Sequence, residues 1–239
     1  MRNAKLEFPS FLKTSVDNVV VKISRNASIP KLAAIILFML MGLMFNACED
    51  ITSCECEDTA GYNPDLIDDY VPLEYQDKLT PYMPIYKGNT PPNINGVYEM
   101  KPTILVVDSG GSAKPGQEFL PMTMRFSSQN NPDITYEEYQ KSSNGDIALS
   151  KGDEVKITGS GNFSTTVFVV TTNHSDGVIT KSATVISGEK TKDGIKNIRY
   201  AFIVLEKIGD ENNNKYVKVG TYRVFKDGDE LAQNSTWNP

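Results

Sequence analysis

Residues 195–208 read IKNIRYAFIVLEKI. In an extended chain successive side chains point to opposite faces. Ile198, Tyr200, Phe202 and Val204 then share one face, and Ala201, Ile203 and Leu205 share the other. A strand with one wet face alternates apolar with polar residues, so apolar residues on both faces predict cover on both. The stretch therefore reads as the central strand of a β domain, and its neighbours follow outward from it.

Lys192-Asp193-Gly194 turns the chain just before it. Val178 to Ser187 precedes that turn, with Ile179, Ala183 and Val185 on one face. Phe163 to Thr172 is β-branched almost throughout, and such residues favour strands. His174-Ser175-Asp176-Gly177 joins the two as a tight hairpin turn. Further back, Val155 and Ile157 share a face, and Ile134 to Gln140 fits either a strand or one helical turn. Leu120, Met122, Met124 and Phe126 face away from Thr123, Arg125 and Ser127. The first strand carries Tyr98, Met100, Pro102, Ile104 and Val106 on one face and ends at Ser109-Gly110-Gly111-Ser112. Beyond residue 208, Asp210 to Asn214 is a polar loop, Tyr216 to Phe225 a last strand, and Asp227-Gly228-Asp229 a closing turn. About eight short strands with no intervening amphipathic helix exclude βαβ units. They predict an all-β, antiparallel domain over Asn93–Pro239, an up-and-down barrel or else a β-sandwich. The C-terminal stretch to Trp237 is expected to fold back over an end or edge.

Some of these residues resemble a known family. Asn95-Gly96-Val97-Tyr98 is similar to the Gly-x-Trp opening of a lipocalin barrel, with Tyr98 at the tryptophan position. Arg223 resembles the lipocalin arginine that packs over that ring. Gly159-Ser160-Gly161-Asn162-Phe163, Ser187-Gly188-Glu189 and Tyr222 to Asp227 resemble Bacteroidota lipoproteins with lipocalin-like domains. The resemblance covers about Asn93 to Asp229 and implies an eight-stranded barrel with a mouth. Tyr98, Tyr200 and Tyr222 are the candidates for lining it, because a tyrosine offers an apolar face and a hydroxyl.

The N-terminal part has a different character. Leu32 to Phe45 is apolar apart from Gly42 and follows Arg25 and Lys31, the layout of a signal peptide. It is shorter than the roughly 20 residues that a membrane-spanning helix needs. Phe45, Ala47 and Cys48 resemble the lipobox of bacterial lipoproteins, which implies lipidation of Cys48 as the mature N-terminus. Acyl chains contribute about 0.8 kcal/mol per buried CH₂, so two or three hold a soluble domain at a bilayer. A secreted protein cleaved after Ala47, and an uncleaved membrane helix, are the alternatives. Cys54 after Ile51-Thr52-Ser53 also fits a lipobox, but Glu49 and Asp50 separate it from the apolar run. Residues 1–47 thus read as a lipoprotein signal, of which 1–30 are an extended or misassigned start.

Residues 48–92 are acidic and proline-rich, and read as a tether that is increasingly ordered toward the domain. Glu49-Asp50 resembles the acidic signal that sends Bacteroidota lipoproteins to the outer face of the outer membrane, with a merely solvated tether as the alternative. Asp58-Thr59-Ala60 resembles the O-glycosylation motif of that group, with Thr59 as the acceptor. Tyr70, Val71, Leu73, Tyr75, Leu79, Tyr82, Met83, Ile85 and Tyr86 are too apolar for a free linker, so this segment is expected to lie across the domain surface and bury some of those rings. Pro81, Pro84, Pro91 and Pro92 predict an extended course there.

Residues 1–47 carry a net charge of +4, so the remainder holds −10 of a whole-chain −6. Such an acidic body argues against nucleic-acid binding, which neutralises phosphates with Lys and Arg. Cys54 and Cys56 lie too close together for an unstrained disulfide, and with His174 as the only histidine no metal or cofactor site is expected. A serine-hydrolase site would have to use that same turn histidine. Asp210 to Asn214 begins like a calcium loop, but Lys215 stands where that loop needs Gly and Thr221 where it needs Glu. The remaining acids lie mostly in turns and tether, so no enzyme is expected. The predicted protein is a lipid-anchored envelope lipoprotein whose partners are the membrane and a small apolar or amphipathic ligand. The alternative is an accessory subunit of a surface complex, with a filled barrel.

Overall fold

Period-two patterning becomes hydrogen-bonded strand over just more than half of the residues described in a computed structural model, 65–212 and 215–239. The signal segment, Cys48, Cys54, Cys56 and Thr59 lie outside the described residues. Among the described residues two short helices, α1 (Asp65–Tyr70) and α2 (Leu73–Leu79), come first. Twelve strands follow: β1 (Gly96–Met100), β2 (Thr103–Asp108), β3 (Glu118–Phe119), β4 (Met122–Asn130), β5 (Asp133–Lys141) and β6 (Ile147–Lys151). The second half comprises β7 (Glu154–Ser160), β8 (Ser164–Ser175), β9 (Val178–Lys190), β10 (Gly194–Ile208), β11 (Tyr222–Asp227) and β12 (Leu231–Asn234).

All pairings among the strands are antiparallel, and eight strands close a ring in the order β12-β1-β4-β5-β7-β8-β9-β10. Gly194–Lys196 of β10 closes it against Leu231–Gln233 of β12. Closure satisfies backbone groups that an open sheet would leave on its edges. Ile134 to Gln140, open between strand and helical turn in the sequence, is strand throughout.

Twelve elements make eight lines because four lines bend, one of them being β3 and β4, which pair with β2 and β1 in turn. The register of β10 shifts between Lys196 and Arg199, where Asn197 has a positive φ of 53°. Before the shift β10 pairs with β12, and after it with β11, so β11 and β12 are one bent line. β1 and β2 form a second, β1 paired with β12 and β2 with β11. β6 and β7 form a third, both paired with β5. Asp227 ties one corner together, accepting the Lys101 amide at 2.9 Å and the Asp229 amide at 3.0 Å. The bend at Lys101–Pro102 also reverses side-chain parity. Tyr98 and Met100 point into the ring, but beyond the corner Leu105 does so, while Val106 packs with the outer cluster. The sequence reading of Ile104 and Val106 on the same face as Tyr98 is corrected accordingly.

Both faces of the central strand are covered, by different material. Ile198 and Tyr200 point into the ring with Val167, Val169 and Ile186. Ala201 and Ile203 point outward with Phe168, Val170, Ala183, Val185 and Val224. Ile67, Tyr70, Val71, Tyr75, Leu79 and Met83 lie over that outer face. This N-terminal segment is helical in part, not extended as its prolines suggested. Pro72 takes φ −49° and ψ 141° at the N-cap of α2, a place where proline costs no helical bond. Gln76 then donates to Asp68 and to the Val71 carbonyl, both at 2.8 Å, bracing α2 on α1. Fully burying one large apolar side chain contributes about 1.5–3 kcal/mol, so this cover is a structural part of the domain.

The β8–β9 turn is shorter than the four residues read from the sequence. Only Asp176 and Gly177 lie outside the strands, with φ of 52° and 75°, the two-residue turn whose twist suits a hairpin. Trp237 folds back on the outside of β4 and β5. Its ring meets Tyr139 edge-on at 5.0 Å, with the Arg125 guanidinium 4.3 Å above it.

Candidate binding cavity inside the strand ring

The interior of the ring has two unlike halves. In one, large apolar side chains fill the space: Phe126 packs against Tyr98 with ring centroids 6.0 Å apart and against Tyr136 at 5.3 Å. Tyr98 donates to the Ile94 carbonyl at 3.0 Å, and burial pushes its phenol up to about 12. The cation over its ring is Lys190, 5.2 Å from the centroid. Arg223, which the family resemblance put over that ring, instead pairs with Asp108.

In the other half the inward positions become small and hydroxylated. β9 presents Ile186 to the packed half, but Thr184 and Ser182 beyond it; β8 presents Val167 and Val169, then Thr171. Replacing large side chains by small ones opposite aromatic rings leaves a cavity of about 110 Å³. Phe119, Phe202 and Phe225 form its apolar side. Glu138, Gln140, Tyr200 and Arg223 supply polar and charged groups.

Glu138 is half-buried and lines this cavity. Tyr136 donates to its Oε2, and Tyr200 donates to its Oε1 at 3.2 Å. Burial raises its carboxyl above the usual range, because charge loses its hydration there, and the two phenol bonds only partly offset that. Both phenols are raised well above their ordinary value, first by burial and then by the carboxylate beside them.

Arg223 is differently held. Its Nε lies 3.3 Å from Asp108 Oδ2, and its Nη2 donates to Ser112 Oγ at 2.6 Å. Asp108 also accepts from the Gly110 amide at 2.9 Å, the Ser112 hydroxyl at 2.9 Å and the Ala113 amide at 3.0 Å. Burial alone would raise the Asp108 carboxyl, but these donors and the guanidinium outweigh it and hold it below the usual range.

Of the three tyrosines named from the sequence, Tyr200 lines the cavity. Tyr98 lies in the packed half, and Tyr222 packs with the outer cluster. Glu138 escaped notice, although a signal was present: Ile134, Tyr136 and Glu138 share one parity, so a carboxylate occupies an inward position. His174 is exposed at the end of β8. Among the described residues no cluster of three or more His, Cys, Asp or Glu is arranged to hold a metal ion. The site offers a carboxylate held by two phenols, a paired guanidinium, hydroxyls and aromatic rings. Comparison with protein families, with curated proteins and with solved structures finds no match to this chain.

Proposed function

We propose that this protein is a lipoprotein of the cell envelope, anchored at the outer membrane through lipid on Cys48, that binds a small amphipathic molecule inside its strand ring and performs no chemistry on it. One observation carries the binding part: the inner wall changes from packed apolar side chains to small hydroxylated ones, leaving a cavity with aromatic rings on one side and polar groups on the other. Ligand pockets combine a mostly apolar lining with a few convergent polar groups in this way. The basic, apolar and Phe45-to-Cys48 features of residues 25–48 support the anchor.

Mass spectrometry of the protein taken from native membranes tests both parts. The anchor requires a denatured mass equal to the chain from Cys48 plus acyl groups, and an unmodified mass refutes it. The cavity reading requires a small non-covalent adduct under native conditions that Ser182→Leu removes, since Ser182 lines the cavity. The filled half of the ring favours a second reading, a structural subunit of a surface complex. That reading takes over if the native protein carries other polypeptides and no small adduct.

A further inference from the structure

Two side chains bring formal charge to the cavity wall, Glu138 and Arg223. Their situations differ. The positive charge of Arg223 is matched by Asp108, whose side chain is fully buried and whose oxygens are taken up by Gly110, Ser112 and Ala113. Glu138 has two phenol donors and no cation. None of the ion pairs among the described residues includes it. Counting Asp108, Arg223 and Glu138 together, the cavity keeps one uncompensated negative charge. A carboxylate has about four acceptor positions, of which Tyr136 and Tyr200 occupy two.

We propose that the cavity selects a small amphipathic cation, a protonated amine on a short apolar body, with the Glu138 carboxylate as its counter-ion. This rests on the reading of the cavity as a ligand site. The ammonium takes the free acceptor positions of Glu138, and the apolar body lies against Phe119, Phe202 and Phe225. Thr184 and Ser182 offer hydroxyls to the remaining N–H groups. Away from bulk water a charge pair is worth far more than at a surface, so the same carboxylate that attracts an amine repels an acid. A neutral ligand leaves the carboxylate uncompensated.

The test titrates the full chain at pH 7 with two matched series, followed by ligand-observed NMR: butylamine, butanol and butyrate, then benzylamine, benzyl alcohol and benzoate. Each amine is expected to bind at least tenfold more tightly than its alcohol. Glu138→Gln is expected to bring the ratio below threefold. Amine and alcohol binding equally, or the carboxylate binding best, overturns the selectivity and leaves the ligand site standing. Failure of all six compounds to bind overturns both. The amine-to-alcohol ratio on the wild type decides the matter alone if the variant does not fold.

Discussion

Leu79 and Leu73 lie on the same helix, α2, and differ almost only in what they touch. Leu79 is fully buried in the outer cluster, against a sheet face that includes Phe168 and Val170, whereas Leu73 is 60% exposed. Changing either to alanine has the same effect on helix propensity, so the difference between the variants reports burial. Leu79→Ala removes three carbons from a packed site. At about 0.8 kcal/mol per CH₂ the transfer contribution is about 2.4 kcal/mol. The cavity left behind adds to this, and buried leucines lose about 2–5 kcal/mol in such changes, so about 3 kcal/mol is expected. For a domain of this size that lowers Tm by about 6–12 °C. Leu73→Ala should stay within about 0.5 kcal/mol of wild type. Urea denaturation followed by the fluorescence of Trp237, the only tryptophan, measures both. Equal stability of the two variants would refute the docking of α1 and α2 as part of the fold. The segment would then be a tether resting on a sheet that does not need it.

Two further perturbations probe the closure of the ring. Asp227, buried at the β11–β12 corner, has its carboxyl pushed up to about 6, by burial first and then by sharing a hydrogen bond with Asp229. The folded state therefore binds more protons than the unfolded state between about pH 4 and 6, so stability falls as pH rises through that window and is level above it. At about 1.4 kcal/mol per unit the fall is at most about 3 kcal/mol. The opposing contribution of Asp229, lowered by that same bond, lies below its ordinary 3.8 and outside the window. Unfolding at pH 4.5, 5.5 and 6.5 should show the slope in wild type and a shallower one in Asp227→Asn, where the raised carboxyl of Glu138 still contributes with the same sign; an unchanged slope in the variant refutes the assignment. At Gly194, where β10 meets β12, an added Cβ would lie 2.1 Å from the Ala232 carbonyl oxygen. Gly194→Ala forces backbone apart at the closing pair and should cost at least about 2 kcal/mol. Amide exchange should quicken in β12 before it does in β8, and equal protection in both would show that the closure does not depend on this contact.

Much of the domain was legible in one dimension, because side-chain direction in a strand follows parity alone. Residues 195–208 announced cover on both faces, and Met122, Met124 and Phe126 announced an inward stripe; both are present. Parity fails where the chain bends. At Asn197 the register shifts and at Lys101–Pro102 the parity reverses, and nothing local says that the side chains have changed sides. The helical cover was half legible. Its apolar content was visible, but short helices are decided by what they pack on rather than by propensity, and the prolines pointed to extended chain.

An antiparallel all-β domain, its two-faced central strand and its freedom from cysteine beyond Cys56 are written in the sequence alone, since composition and alternation are local properties. Only the tertiary structure decided that β10 closes a ring with β12, that β8 to β11 are roofed by α1 and α2, and that Ser182, Thr184 and Thr171 meet Phe202 and Glu138 around a void. A cavity is the volume that no side chain fills. It depends on the sizes of residues far apart in sequence, and on which strands curvature brings to face one another. The lack of an ion pair to Glu138 among the described residues has the same origin, for it is a property of all its neighbours at once.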